Sequence, residues 1–375
     1  MTHPSPSEVF MREALRLAHR PVSLPYPNPW VGCVVANSGE ILGRGYHCGP
    51  GTDHAEAMAL KRAGPRARGA TLYATLEPCC HYGHTPPCTD AILRAGIRQV
   101  FYAIPDPNPA VRGRGARILR SHGVRVRAGL CAREASALNE VYLKYRATGL
   151  PFVTAKVAAS LDGKIATRTG QSRWITDARA RSAARSLRAQ NQAVLVGIRT
   201  VLADDPHLGS RIPEAVEPWR VVLDSWLRIP VESQVVKSGK CIVACARGAA
   251  EAKARQLERR GVKVWRFPGR KVSILPLLRR LAREEIISVL VEGGSEALGS
   301  FFDTRALDRV YWFLAPLIIG SRKSLSAVAG RGVADLKGAV RLRHPQMSSV
   351  GQGWLLQGNL SPWARLGVRA WPFTP

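Results

Sequence analysis

The sequence predicts an α/β protein of two domains. Strand-like apolar runs alternate with stretches of helical periodicity along most of the chain, an order that favours sheets covered by helices. A length of 375 residues corresponds to about two domains, and the segment Ala147 to Pro151 (ATGLP) has the composition of a linker. We therefore expect a first domain over residues 1–147 and a second over residues 148–375.

Helices and strands are predicted to alternate through the first half. A helix from Ser7 to Arg20 begins it, with Ser7 as the N-cap, because the apolar residues recur at helical spacing. The later elements are the strands Val31–Ala36, Ile41–Tyr46, Thr71–Leu76, Gln99–Ile104 and Val124–Ala128, and the helices Ala55–Ala63, Thr89–Ala95, Ala116–Ser121 and Ala132–Arg146.

The second half is predicted to repeat this alternation. Its last predicted strand is followed by Gly293 and Gly294, where backbone can approach a phosphate closely at the start of a helix. The elements are the strands Pro151–Ala158, Ala193–Gly197, Arg220–Asp224, Lys240–Ala244, Lys263–Phe267 and Ser288–Glu292, and the helices Arg179–Ala189 and Glu296 onward.

The net charge of +28 is the most unusual bulk property of the chain. A basic surface is typical of nucleic-acid binding, but the arginines are spread along the sequence and form no long basic run. Diffuse solvated charge is the preferred interpretation, and no specific nucleic-acid partner is expected. No apolar run reaches the roughly 20 residues of a membrane span, and the N-terminus lacks the apolar core of a signal peptide. We expect a cytoplasmic protein without a membrane partner.

The placement of the eight cysteines argues against a disulfide framework. Cys241 and Cys245 lie in a strand-like run and are predicted to be small buried hydrophobes. The other six lie in the first third among His and Pro residues, which in a cytosolic enzyme favours metal binding or catalysis. These six are Cys33, Cys48, Cys79, Cys80, Cys88 and Cys131.

A zinc-site motif joins two segments of the first half, His54-Ala55-Glu56 and the run from Pro78 to Cys88. The pattern H-x-E followed by P-C and a second Cys is typical of zinc-dependent base deaminases, in which the Glu transfers protons and does not bind the metal. Catalytic zinc takes three protein ligands and keeps a fourth position for water, whose pKa it lowers toward about 7. We interpret His54, Cys79 and Cys88 as ligands and Glu56 as the general acid/base.

A closed structural zinc site is the alternative interpretation. Cys80, His81 and His84 lie near enough in sequence to supply a fourth ligand. Against this, a structural site has no use for a carboxylate two residues from His54.

Two further polar segments each have two interpretations. Asn28 precedes the first predicted strand, and it either contacts a base edge or forms a turn. The loop from Arg112 to Gly115 either holds a phosphate through backbone amides and guanidinium groups or is an ordinary connection.

Several motifs together resemble the bifunctional riboflavin-biosynthesis deaminase/reductase family. They are Pro27-Asn28-Pro29, Val31-Gly32-Cys33, His54-Ala55-Glu56, Thr75 to Cys79, Thr85 to Cys88 and Asp106 to Pro109, with Ser160 to Ala166, Trp174 to Thr176, Gly197 to Pro206 and Val289 to Gly294 in the second half. The resemblance implies an N-terminal cytidine-deaminase-like three-layer α/β/α domain and a C-terminal dihydrofolate-reductase-like α/β domain. It implies zinc and NADPH as cofactors. The implied reactions are deamination of 2,5-diamino-6-(5-phosphoribosylamino)pyrimidin-4-one and reduction of its ribosyl side chain. A homo-oligomer is expected.

The resemblance also assigns residues in the reductase half. Contacts to the nicotinamide cofactor fall at Ala158, Trp174, Thr200, Asp204, Ser225 and Gly294, and contacts to the ribose phosphate of the substrate at Ser172, Arg188, Leu208, Arg211 and Glu292. Arginine pairs suit this second task because guanidinium groups bind phosphate bidentately.

This chain departs from the family pattern at several positions. Asn191-Gln192 replaces a Ser-Asp pair, Arg199 stands where a small or polar residue is usual, Gly209-Ser210 replaces Thr-Val, and His84 replaces Arg or Lys. These changes motivate one alternative, a deaminase with a decayed reductase domain. The net charge motivates another, a basic RNA-binding or RNA-editing deaminase.

Overall fold

The computed structural model describes residues 5–20, 24–83, 85–213 and 215–360. The chain divides into two compact units, the first running to Thr148 and the second beginning at Gly149. No helix among these residues is long and apolar enough to cross a bilayer. All eight cysteines are free thiols, and Cys241 and Cys245 are buried, as the sequence predicts.

The first unit is built on a five-stranded sheet. Its strands are β1 (Gly32–Asn37), β2 (Glu40–Tyr46), β3 (Thr71–Leu76), β4 (Gln99–Ile104) and β5 (Arg125–Ala128), and its helices are α1 (Pro6–Ala18), α2 (Ala55–Ala63), α3 (Cys88–Arg94), α4 (Arg114–Ser121), α5 (Ala132–Leu138) and α6 (Glu140–Thr148), with a 3₁₀ turn at Gly64–Ala67. The strand order is β2-β1-β3-β4-β5, in which β3, β4 and β5 are parallel and the pairs β1–β2 and β1–β3 are antiparallel.

Glycines let two helices lie directly on opposite faces of this sheet. A Cβ at Gly32 would stand 1.9 Å from the Ala14 carbonyl of α1, and one at Gly45 would stand 2.0 Å from the Ala55 carbonyl of α2. Gly45 pairs with Cys33, the neighbour of Gly32, and successive residues of a strand point to opposite faces. The unit is therefore a three-layer α/β/α sandwich, as expected.

Two local predictions in this unit are wrong. The first helix is capped by Ser5, whose hydroxyl accepts from the Glu8 amide at 3.3 Å while the Glu8 carboxylate accepts from the Ser5 amide at 2.8 Å, so Ser7 lies inside the helix. The helix predicted over Ala132–Arg146 is broken at Asn139, because this fully buried side chain bonds both the amide and the carbonyl of Trp30, at 2.8 and 2.9 Å.

The second unit is built on a nine-stranded sheet. Its strands are β6 (Phe152–Ser160), β7 (Ala193–Gly197), β8 (Trp219–Leu223), β9 (Cys241–Ala246), β10 (Lys263–Phe267), β11 (Ser288–Val291), β12 (Arg309–Ala315), β13 (Arg343–Val350) and β14 (Gly353–Asn359). Its helices are α7 (Ala178–Ala189), α8 (Ile198–Asp204), α9 (Gln234–Lys237), α10 (Glu251–Glu258), α11 (Ile274–Arg283) and α12 (Ser295–Asp303), with a 3₁₀ turn at Leu336–Gly338.

The order of this sheet is β10-β9-β8-β7-β11-β6-β12-β14-β13. Neighbouring strands from β10 to β12 are parallel, and β14 and β13 add an antiparallel hairpin. Separate hydrophobic clusters cover the two faces, which explains why the central strands are apolar almost throughout.

Candidate active sites

His54, Cys79 and Cys88 converge at the carboxyl end of β3. His54 is the N-cap residue of α2, Cys79 follows β3, and Cys88 is the first residue of α3. Their ligand atoms lie within 4.8 Å of one another, and the Nδ1 atom of His54 is 3.3 Å from the Cys88 sulfur and 3.4 Å from the Cys79 sulfur. No other His, Cys, Asp or Glu of the described residues joins this group. One imidazole and two sulfurs form a donor set that suits zinc.

The other ring nitrogen of His54 has a partner that orients the ring. The Oγ1 atom of Thr85 lies 3.1 Å from Nε2, so Nδ1 is the nitrogen that faces the two sulfurs. Of the possible fourth ligands, Cys80 directs its thiol to the carbonyl of Ala110 at 3.5 Å, and His81 is exposed. His84 lies outside the described residues.

The two thiols have opposite electrostatic preferences. The hydrogen bond from Cys88, together with His54, lowers the pKa of Cys79, while the same bond and burial raise the pKa of Cys88 well above that of a free thiol. The pair therefore holds one proton between two sulfurs. Metal binding requires thiolates, so a zinc ion held by Cys79 and Cys88 would take the place of that proton.

Glu56 lies in the first turn of α2, 4% exposed, and is not one of the clustered ligands. Burial, with the Cys79 thiolate nearby, raises its pKa to about 7. A carboxyl group with a pKa near the working pH can both accept and return a proton, as general acid/base catalysis requires.

The buried residue His47, beside the candidate zinc ligands, was missed by the sequence analysis. The Nδ2 atom of Asn28 lies 2.9 Å from Nε2 of His47, and the His47 ring stands edge-on to the His54 ring at 5.3 Å between centroids. Burial lowers the pKa of His47, so its ring is neutral and accepts from the amide. The two interpretations of Asn28 therefore gain a third, a structural contact to His47. The sequence feature that could have indicated His47 is its position directly after the second strand and seven residues before His54.

Backbone amides of the Gly/Arg loop bind a side chain of the protein itself. The buried carboxylate of Glu77 accepts from the amides of Gly113 at 3.0 Å and Ala116 at 3.1 Å. A Cβ at Gly115 would stand 2.2 Å from the Pro78 carbonyl, so α4 lies directly on the segment that carries Cys79. Glu77 occupies the Gly113 amide, so this amide of the loop does not bind a phosphate, and a phosphate contact through the guanidinium groups stays a prediction.

The carboxyl edge of the second sheet gathers three of the predicted cofactor residues. Ser225 follows β8, Thr200 lies in α8 after β7, and Gly294 follows β11, and these three strands are neighbours in the sheet. A Cβ at Gly294 would stand 3.1 Å from the Thr200 hydroxyl, whereas the hydroxyl of Ser225 accepts from the amide of Val272 at 3.2 Å. Ligands of open α/β sheets bind along this edge.

The three other predicted cofactor residues lie near the ends of α8 and β6 and in the segment before α7. Asp204 accepts from the hydroxyl of Ser172 at 3.4 Å, and Ala158 lies half-buried in β6. Trp174 is 68% exposed, carries the Arg181 guanidinium 4.2 Å above its ring, and lines a cavity of about 400 Å³ with residues of β12 and β14.

Arg188 and Glu292, both predicted to hold the ribose phosphate, are bonded to each other. Two guanidinium nitrogens of Arg188 lie 2.5 and 2.9 Å from the Glu292 oxygens, and a third donates to the carbonyl of Gly209 at 3.1 Å. Lys156, which the sequence analysis did not single out, lies 3.8 Å from Glu292. Burial alone raises the pKa of Glu292, but the hydrogen bonds and charge of Arg188 outweigh it, so the pKa lies below its ordinary value.

Of the remaining substrate residues, Leu208 is buried and Arg211 is exposed, and both have left-handed backbone in the loop after α8. Two of the departures from the family pattern have local explanations. Gln192 makes three hydrogen bonds to the segment Glu285 to Ser288, and Arg199 pairs with Glu296 at 2.7 Å on the surface. These contacts give no support to a decayed reductase domain.

The first unit has a candidate zinc site beside a buried carboxyl group. The second unit has a largely parallel sheet with two glycines after β11. Together these features are typical of a two-domain enzyme of the deaminase and reductase class. Two family models match the chain. Residues 4–104 match the cytidine and deoxycytidylate deaminase zinc-binding region, and residues 151–356 match the RibD C-terminal domain.

Proteins of known family resemble nearly the whole chain. The riboflavin biosynthesis protein RibD of Bacillus amyloliquefaciens is 42% identical, over 92% of this chain and 94% of its own, and that of Aquifex aeolicus is 41% identical, over 92% and 95%. A solved structure of Acinetobacter baumannii RibD superposes with a TM-score of 0.86 at 33% identity, covering 95% of this chain and 99% of its own.

A deaminase/reductase of Thermotoga maritima gives a TM-score of 0.83 at 34% identity, with coverage of 95% and 99%. The chain belongs to the RibD family of bifunctional riboflavin-biosynthesis enzymes. It is a deaminase and a reductase in one chain, with zinc and NADPH as cofactors.

Proposed function

We propose that His54, Cys79 and Cys88 hold the zinc ion and that Glu56 is the general acid/base of the deamination. The observation that carries this proposal is the approach of one imidazole nitrogen and two sulfurs within 4.8 Å, with a buried carboxyl group two residues from the histidine. Zinc, when bound, makes a water molecule acidic enough to act as a nucleophile near neutral pH.

The chain's own groups perform the proton transfers. The carboxylate of Glu56 accepts the proton of the attacking water and, as a carboxylic acid, delivers it to the departing ammonia. Burial raises the pKa of Glu56, and a carboxyl group with a raised pKa can hold and release a proton more readily near neutral pH. We propose that the substrate is the diaminopyrimidinone that carries a phosphoribosylamino group, since the chain belongs to a family named for this pathway.

For the reductase unit, we propose a division of labour among the substrate residues. Arg188 gives its donors to Glu292 and to Gly209, so its role is to fix the Glu292 carboxylate. Arg211 is exposed in the same loop as Leu208 and supplies the positive charge that binds the ribose phosphate. The hydroxyl of Ser172 donates a hydrogen bond to Asp204. NADPH supplies the reducing equivalents, and Thr200, Gly294 and Ser225 line the edge proposed for it.

The remaining expectations are also part of this proposal. A cytoplasmic location is supported by the eight free thiols, because a reducing compartment keeps cysteines in the thiol form. Assembly into a homo-oligomer stays a prediction, which light scattering of the purified protein tests.

The experiment is a pair of matched variants measured on both reactions. Glu56→Gln keeps the shape of the side chain but removes its proton transfer, so ammonia release should fall by about 100-fold or more while zinc content and reduction of deaminated substrate stay unchanged. Arg211→Gln should raise the KM of the reduction and leave ammonia release unchanged. Normal deamination by Glu56→Gln would overturn the role of Glu56, and an unchanged KM in Arg211→Gln would overturn the phosphate contact.

A further inference from the structure

The first unit has an arginine-rich edge where its parallel strands begin, at the opposite end of the strands from the candidate zinc site. Between residues 91 and 133 the chain has nine arginines and one acidic residue, Asp106, which is buried. Five exposed arginines gather where β3, β4 and β5 begin, and we call them the basic edge. They are Arg68, Arg94, Arg98, Arg120 and Arg125.

Backbone contacts place these residues side by side. The amide of Arg125 donates to the carbonyl of Arg98 at 3.1 Å, and the amide of Arg98 donates to the carbonyl of Ala70 at 3.0 Å. The starts of the three strands therefore form a row. The side chain of Arg68 lies against Gly96, two residues after Arg94, and Arg120 donates to the carbonyl of Val126 at 3.1 Å. Neighbouring strands are about 4.8 Å apart, so the row of three strand starts is roughly 10 Å wide.

The positive charge of the basic edge is not neutralised by the protein. None of the five arginines forms an ion pair with an acidic side chain within the described part of the chain. Glu40, which lies at the start of β2, pairs with Arg66 instead, at 3.0 Å. Five like charges on one short edge repel one another, and a polyanion relieves that repulsion.

The position of the edge separates it from the substrate. The cysteine ligands follow the carboxyl end of β3, while Arg68 precedes its start, and six residues of strand span roughly 20 Å. The phosphate of one small substrate cannot reach both places.

We propose that the basic edge binds the phosphate backbone of RNA without sequence preference. Guanidinium groups bind phosphate oxygens in bidentate fashion, and several in a row match a chain of phosphates. An acidic membrane is a poorer match, because interfacial binding needs apolar side chains and the exposed large hydrophobics described in this unit, Val9 and Tyr82, lie in α1 and in the loop after Cys80.

The test compares two variants of the full-length zinc-loaded protein, each with five Arg→Gln changes and the same net charge. The edge variant changes the five arginines of the basic edge. The control variant changes Arg259, Arg270, Arg279, Arg283 and Arg322, which are exposed in the second unit and have no acidic partner among the described residues. None of the ten belongs to the sites proposed above, so both reactions report on folding.

The probe is a fluorescent oligouridylate of about 20 nucleotides, followed by anisotropy from about 50 to 200 mM salt. Five phosphate contacts to a single strand give a slope of about −3.5 in log affinity against log salt, so the wild type should weaken roughly 100-fold over this range. The edge variant should lose most of that slope and bind at least about tenfold more weakly at the lowest salt, while the control variant behaves as wild type.

Each other outcome overturns the proposal. Equal loss in the two variants means that diffuse charge binds the probe. No binding by the wild type at the lowest salt means that the edge has no affinity for RNA. Tighter binding to phosphatidylserine vesicles than to RNA, with loss in the edge variant, means that the partner is a membrane surface.

Discussion

Replacing Glu292 by Gln tests the electrostatic structure of the reductase unit. The Glu292 side chain is 4% exposed, its two oxygens bond Arg188 at 2.5 and 2.9 Å, and Lys156 lies 3.8 Å away. The amide of Gln keeps the size of the side chain but removes the negative charge that both Arg188 and Lys156 face. Two cations whose side chains are only 18% and 19% exposed then lose their compensating partner.

The expected magnitude follows from burial. Removing one partner of a buried ion pair costs about 3 to 5 kcal/mol, because the other charge stays buried without compensation. The exposed pair of Arg199 and Glu296, with side chains 71% and 65% exposed, is a matched control in the same unit. Glu296→Gln should cost only about 0 to 1 kcal/mol, because water screens this pair.

The difference in free energy of unfolding between the wild type and Glu292→Gln should change with pH in one direction. The pKa of Glu292 is lower in the folded protein than in the unfolded chain, so its stabilisation is present above the ordinary glutamate pKa and is lost as pH falls below it. The gap in stability between wild type and Glu292→Gln should therefore be largest near neutral pH and shrink in acid.

The assay is urea unfolding of the wild type and the two variants, followed by circular dichroism. Near pH 7, Glu292→Gln should shift the reductase transition to lower urea by several times the shift of Glu296→Gln. Equal shifts, or a gap that widens as pH falls, would refute the reasoning.

Three further predictions concern the deaminase unit. Asp106→Asn keeps the oxygen that accepts from Asn108 and Tyr142. Because burial raises the pKa of Asp106 to about 6, the free energy of unfolding of the wild type should fall by about 3 kcal/mol relative to that of the variant as pH rises from about 4 to 6. A difference in thermal stability that does not change with pH would contradict this. Gly115→Val should abolish zinc retention and ammonia release but spare the reduction, since its Cβ would meet the Pro78 carbonyl, whereas Gly248→Val, with open space around it, should leave both reactions intact. Removal of zinc with a chelator should stop ammonia release and leave the reduction of deaminated substrate unchanged; loss of both reactions would show that zinc also supports the second unit.

The parts of the fold set by local composition were predictable. The helix Ala55–Ala63 and the strands at residues 71–76, 99–104, 193–197 and 263–267 have the predicted bounds, because runs of apolar and β-branched residues end at Gly, Pro or charged residues there. The zinc motif was predictable for a similar reason, since ligand types and spacing are properties of the chain itself.

What depends on distant contacts was not predictable. The break at Asn139 is made by hydrogen bonds to Trp30, 109 residues away, and nothing near Asn139 in the sequence signals it. Glu77 lies within the deaminase motif, but its bonds to the amides of Gly113 and Ala116 need the folded unit.

The pairing of Arg188 with Glu292 spans 104 residues, so each looked like an independent substrate contact. The exposed strand β13, whose sequence RHPQMSSV has no apolar alternation, was missed for lack of any pattern.

The most direct test of the account is a single experiment on the purified wild-type chain, with zinc determined by elemental analysis and turnover measured on the diaminopyrimidinone phosphate with and without NADPH. We predict one zinc per chain, ammonia release that does not need NADPH, and oxidation of NADPH that begins only after ammonia has been released. A well-folded chain that releases ammonia at full rate without bound metal would contradict the central claim, as would oxidation of NADPH by the substrate before its deamination.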